Sequence, residues 1–270
     1  MRLRDKVIVV TGSTKGIGAA VAKMCAAEGA KVIVSGRNIN DGNAVVGEIC
    51  ENGGDAIFVR CDVSKVDDCK NLIDSAGARY GKIDGLVNNA GIFPRIDLLD
   101  TTEEEYERVM ETNVKGAYFC TQNALRYMVE QHSGSIVNIG STHWKMGGAT
   151  QSVYAMTKGA LHTLTQHVAH HFCRKGIRAN WVTVGWVISE GEMDLTISEG
   201  HDMNYLNSLL PMVMPSGQFQ TGDDIAYACV YLLSDEAIQV TGTDIEVTGG
   251  FKPEAIPTFD FGAMMGGTQK

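Results

Sequence analysis

Residues 7–21 read VIVVTGSTKGIGAAV: a β-branched apolar run, a loop with three glycines in seven residues (Gly12, Gly16, Gly18), and an Ala-rich stretch of helix formers. A strand that feeds a helix through so bare a turn presents unpaired backbone N–H groups and the positive end of the helix dipole at one point. The natural guest of such a loop is a phosphate. Working outward, the same rhythm repeats along the chain. Short β-branched runs (KVIVS 31–35, AIFVRC 56–61, IDGLVNNAG 83–91, SIVNIGS 135–141, IRANWVTV 177–184, TDIEVTG 243–249) alternate with helical patterns. Those run to Glu28, from about Asp41, to Tyr80, from about Thr102 to Gln131, and from about Ser152 to Arg174. This alternation is that of right-handed βαβ crossovers on a parallel sheet. It predicts an α/β, doubly wound Rossmann-type fold with a mostly seven-stranded parallel sheet flanked by helices.

No Pro/Ser-rich linker, repeat or low-complexity block interrupts the pattern, so the expectation is one domain over 1–250 and a tail, 251–270. A net charge of -9 argues against nucleic acid or an anionic membrane as the main partner, since both need a concentrated positive field. A small molecule is the expected ligand. Seven cysteines without a CxxC pair, no apolar stretch of spanning length and a first strand that starts within ten residues of Met1 predict a cytoplasmic protein. His167 and His171 stand four apart, but no HExxH or third ligand accompanies them, and no metal is expected.

Tyr154 and Lys158, in VYAMTKG, share one face of a predicted helix. An ammonium fixed beside a phenol favours the phenolate, which suits the pair to proton transfer. Ser141 closes a strand thirteen positions earlier, at the end of the sheet where open α/β folds bind ligands. A turn or helix-cap serine is the plain alternative there.

TGSTKGIG, NNAG at 88–91, Asn113 in METNVKG, Ser141 and the Tyr154–Lys158 pair resemble, in order and spacing, the short-chain dehydrogenase/reductase family, over about 6–250. The GxxxGxG spacing is similar to that of its shorter, one-domain branch. The resemblance implies that Tyr154 is the general acid/base and that Ser141 polarises the substrate oxygen. It also implies that Lys158 lowers the Tyr154 pKa while holding the nicotinamide ribose, and that Asn113 supports a proton relay. It implies dinucleotide contacts from Gly12, Thr14, Lys15, Gly16, Ile17, Gly18, Arg37, Asp62, Val63, Asn89, Ala90, Gly91, Val187 and Ser189, besides Tyr154 and Lys158. Family members that prefer NAD often carry Asp where this chain has Gly36. With Arg37 and Lys15 as cations for a 2′-phosphate, NADP(H) is favoured and NAD(H) possible. Val184 and Ser189 stand where the family usually has proline and threonine. A homo-oligomer, a tetramer by family resemblance, is expected, with the tail packed at a subunit contact.

The family's variable lid falls at about 186–215. Here it holds Met193, Leu195, Ile197, Met203, Tyr205, Leu206, Leu209, Leu210, Met212 and Met214. An adaptable apolar surface of this kind suits a bulky hydrophobic or cyclic alcohol or ketone such as a steroid, and packing of the lid on the body is the alternative. Phe93, His143 and Trp186 are the candidate substrate contacts. The leading expectation is an NADP(H)-dependent interconversion of a secondary alcohol and its ketone. A polyol or sugar dehydrogenase, a 3-oxoacyl thioester reductase and a dinucleotide-binding regulator without turnover are the alternatives.

Overall fold

Val7–Val10 (β1) is buried along its whole length and lies inside a seven-stranded sheet of order β3-β2-β1-β4-β5-β6-β7. The other strands are Lys31–Gly36 (β2), Asp55–Arg60 (β3), Gly85–Asn88 (β4), Gly134–Ile139 (β5), Ile177–Val184 (β6) and Asp244–Val247 (β7). Every pair is parallel, with Val9 opposite Ile33 on one side and Leu86 on the other. A sheet covered on both faces accepts runs such as VIVV, because no side of the strand meets water. The strand order reverses direction between β1 and β4, and the crevice beyond their carboxyl ends is where such folds receive ligands. The structure, a computed structural model, describes residues 1–145 and 150–251, without the side chains of 212 and 213.

Helices fill both faces. Gly16–Ala27 (α1), Ile39–Glu51 (α2) and Gly222–Leu233 (α9) close one core, around Ile8, Val34, Val137 and Val182. Val66–Tyr80 (α3), Gly116–Gln131 (α5) and Ser152–Phe172 (α6) close the other, around Val9, Ile33, Leu86 and Ile136. The helical stretch expected over about 102–131 is not one regular helix. Glu103–Met110 (α4) passes through a single π-helical turn, Glu111–Lys115, into α5. Such turns interrupt the helical hydrogen-bond ladder and recur at functional sites, and this one carries Asn113.

The segment 185–222 contains two further helices, Glu190–Ser198 (α7) and Met203–Val213 (α8). Leu206, Leu209 and Met214 are buried together with Trp186 and Phe251, and Met193, Tyr205, Leu210 and Phe219 pack against them. Part of the apolar surface of the lid therefore forms a small core of its own, while Ile197 and Met203 are exposed. Among the described residues no helix is long and apolar enough to cross a membrane. Phe251 is 3% exposed, and the rest of the tail considered in the sequence lies outside the described residues.

Candidate active site

At the carboxyl ends of the strands opens a cavity of about 900 Å³. One half is built by the glycine loop. Asn89 Nδ2 donates to the carbonyls of Thr11 and Gly12, both at 3.0 Å, while the amides of Asn89 and Ala90 donate to Thr11 Oγ1 at 3.0 and 3.1 Å. These bonds lock the loop after β1 to the loop after β4. A Cβ on Gly12 would lie 2.9 Å from Ala90 Cα, and one on Gly18 would lie 2.4 Å from both Asn89 Nδ2 and the Gly12 carbonyl. Glycine is thus required by close approach at both positions. Gly16, at φ +52°, opens α1, and its amide donates to Glu190 Oε2 at 2.8 Å. A carboxylate of this same chain thus sits where a phosphate oxygen would be received, which is a direct sign that the loop fits an anion.

Thr14, Lys15, Ile17, Arg37, Asp62, Val63, Gly91, Val187 and Ser189 line the same cavity. Lys15 Nζ lies 3.8 Å from Asp41 Oδ2, so its charge is partly answered from within the protein. Burial works against ionisation of Asp62, but hydrogen bonds from Ser64 and the charge of Arg37 hold its carboxyl below the ordinary value. Val184, where proline was expected, ends β6 as an ordinary ladder residue opposite Val247. Ser189 caps α7 by accepting from the Glu192 amide at 3.2 Å.

The other half holds the chemistry. Tyr154 and Lys158 are one turn apart on α6, with Lys158 Nζ 5.4 Å from the centre of the phenol ring. Lys158 is 5% exposed and donates to the Ile139 carbonyl at 2.8 Å, and burial brings its ammonium down to about 8. Burial likewise pushes the Tyr154 phenol up to about 12; a hydrogen bond with Ser141 pulls it back and the charge of Glu192 raises it further. Desolvation of the phenol here outweighs what favours the phenolate. Ser141 Oγ lies 3.1 Å from His143 Nδ1 and accepts from the His143 amide at 3.2 Å. Ser141 lines the cavity and also caps a short 3-10 turn. Burial, aided by the charges of Arg95 and Lys158, holds His143 down to about 4, so the ring is neutral near pH 7. Phe93 and His143 meet Tyr154 edge-on at 6.1 and 5.7 Å, and Trp186 also lines the cavity.

Asn113 is the one predicted site residue whose side chain lies behind this wall. Its amide accepts from the Ile92 amide and donates to the Ile92 carbonyl, both at 2.8 Å, and donates to Thr157 Oγ1 at 3.1 Å. Among the described residues no group of three His, Cys, Asp or Glu is placed to hold a metal ion.

The profile of the family described as Enoyl-(Acyl carrier protein) reductase matches residues 12–252. The chain belongs to the short-chain dehydrogenase/reductase family. It is 37% identical over 255 residues to the L-rhamnose 1-dehydrogenase (NAD(P)(+)) of Azotobacter vinelandii, covering 93% of this chain and 98% of that one. It is 34% identical over 247 residues to a 3-oxoacyl-[acyl-carrier-protein] reductase of Staphylococcus epidermidis, covering 91% and 98%. A solved short-chain type dehydrogenase/reductase from Mycobacterium marinum superposes with a TM-score of 0.85 at 32% identity, covering 92% and 96%.

Within this short-chain dehydrogenase/reductase the cavity is lined by charged as well as apolar side chains. From the lid, Trp186, Val187, Glu192, Asp194 and Glu199 line the cavity, whereas Met193, Leu206, Leu209, Leu210 and Met214 do not, and Arg95 joins them from the loop after β4. Met193, Leu206, Leu209, Leu210 and Met214 pack within the lid, and the apolar lining of the cavity comes instead from Ile92, Phe93, Val184, Trp186, Val187 and Phe251. The acid-rich stretch EGEMD at 190–194, directly after Ser189, was the signal available in the sequence.

Proposed function

We propose that the chain is an NADP(H)-dependent oxidoreductase that interconverts a secondary alcohol and its ketone, with Tyr154 as the acid/base. The observation that carries this is the convergence of Tyr154, Ser141, Lys158 and the anion-receiving glycine loop on one cavity. A nicotinamide dinucleotide, when bound, supplies or accepts the hydride. In the reducing direction Tyr154 Oη gives its proton to the carbonyl oxygen as the new C–H bond forms, and in the oxidising direction it takes the alcohol proton back. Ser141 Oγ holds that oxygen, and Lys158 supplies the positive charge beside the phenolate and holds the ribose. Asn113 supports the relay by fixing Ile92 and Thr157 from behind.

NADP(H) is favoured over NAD(H) because Arg37 lines the cavity, its charge bearing on Asp62 without a salt bridge within 4 Å among the described residues, and Gly36 brings no carboxylate. All seven cysteines are free thiols, which supports a cytoplasmic setting. Tyr118 on α5 and Met156 on α6, 48% and 56% exposed, offer apolar surface for the proposed homo-oligomer. Of the alternatives, a polyol or sugar dehydrogenase gains support from the charged wall and from the relative that acts on L-rhamnose. Absorbance at 340 nm with secondary alcohols, ketones and both dinucleotides tests the proposal; no hydride transfer with any of them would remove it.

A further inference from the structure

Four side chains on the substrate side of the cavity form a network that no proton transfer at Tyr154 requires. Glu192, 6% exposed, accepts through Oε1 from Arg95 Nη2 at 2.7 Å and from Trp186 Nε1 at 2.9 Å. Arg95 Nη1 donates to Glu199 Oε2 at 2.6 Å. Arg95, Glu192 and Glu199 all line the cavity. Among the described residues Glu192 Oε2 has no protein donor, and only two of the N–H groups of Arg95 are taken. The wall therefore offers an open carboxylate acceptor next to open guanidinium donors, on a frame held by Trp186.

We infer that the substrate is a neutral polyhydroxylated molecule, an aldose or cyclic polyol, selected by this Glu192–Arg95–Glu199 wall. The inference rests on the oxidoreduction proposed above and names the substrate of that same site. A hydroxyl donates and accepts at once, so neighbouring hydroxyls satisfy a carboxylate oxygen and a guanidinium N–H together. An apolar ring seated here would strip water from both charged groups and return no hydrogen bond, which is the costly way to bury them. On this wall an anionic substrate meets one cation, Arg95, against Glu192, Asp194 and Glu199, although Arg108 and Lys158 also line the cavity. Glu192 also bears on the Tyr154 phenol, which places the network beside the reacting oxygen.

The test compares kcat/KM for aldohexoses and inositols with that for cyclohexanol, using each dinucleotide, in the wild type and in Glu192→Gln and Arg95→Lys. A site built for hydroxyls should favour the polyol by about 100-fold or more. Each variant should reduce that ratio by about tenfold: Glu192→Gln keeps the shape and the Oε1 bonds, and Arg95→Lys keeps the charge but loses the fork. Fluorescence titration with the dinucleotide records that each variant is folded. Cyclohexanol oxidised as well as the polyols, or a ratio unmoved in both variants, overturns the inference and leaves the oxidoreduction standing. Failure of every alcohol with both dinucleotides overturns the oxidoreduction and the inference together.

Discussion

Gly16 and Glu190 meet across the cleft: the first amide of α1 donates to the carboxylate of the first residue of α7 at 2.8 Å. Two helix N-termini thus face one another, and a single side chain from the lid bridges them. A dinucleotide whose phosphates enter this place must break that bond and approach a carboxylate. Glu190→Ala is accordingly expected to tighten dinucleotide binding several-fold, roughly 1 kcal/mol by the worth of one charge-assisted hydrogen bond. Fluorescence titration should show the same gain for ADP-ribose and none for adenosine, which lacks the phosphates. Weaker binding of ADP-ribose would mean that Glu190 serves only to hold the lid.

Tyr154→Phe removes the transferable proton and leaves the glycine loop untouched. Turnover should fall by about 100-fold or more, with the dinucleotide Kd changed by less than about threefold. Stopped-flow and titration on one preparation separate the two effects. Turnover close to wild type would place the acid/base elsewhere.

Lys158 carries a cost in stability that its proposed role explains. Its pKa falls from an unfolded value near 10.5 to about 8 in the fold, so the unfolded chain binds the extra proton between those values. Stability should therefore rise with pH from about 8 to 10.5, with the full penalty present below 8. Lys158→Met should gain about 1 to 2 kcal/mol at pH 7, net of the bond lost to the Ile139 carbonyl, while losing rate and dinucleotide affinity. Thermal unfolding at pH 7 and 10 decides this; a lower Tm at both values would count against it.

In the proposed mechanism Tyr154 must be ionised to accept the alcohol proton and protonated to serve the ketone. With the phenol pushed up to about 12, kcat/KM for oxidation should climb with pH from about 7 to 10, and that for reduction should not climb. A plateau in the oxidation profile below pH 8 would count against a phenol of so high a pKa as the acid/base.

Arg37→Gln should raise KM for NADP(H) by about tenfold and leave that for NAD(H) nearly unchanged, with the wild-type difference shrinking as salt rises. The companion change Gly36→Asp is less simple than the sequence implied, because a Cβ there would lie 2.6 Å from Thr14 Cγ2. It should cost stability as well as change the cofactor. Wild-type preference for NAD(H) would remove the 2′-phosphate role of Arg37 and Lys15.

The alternation of β-branched runs with helical patterns, and the bare loop at 11–18, made the doubly wound sheet and its ligand crevice legible from the chain alone. Those features are local: strand propensity, helix periodicity and glycine all act within a few residues, and a parallel sheet with right-handed crossovers leaves few ways to join them. The pairing of Tyr154 with Lys158 was legible for the same reason, being a spacing within one helix. Only the tertiary structure decided what lies around them. Whether Met193 or Leu206 faces a ligand or another helix depends on how α7 and α8 pack, and periodicity marks an apolar face without naming its partner. The meeting of Arg95 with Glu192 and Glu199, and of Gly16 with Glu190, joins residues 97, 104 and 174 positions apart, whose charges carry no mark in the sequence of the partner they will find. The ionisation of Tyr154 and Lys158 was likewise fixed by burial, a property of the folded wall and not of either residue.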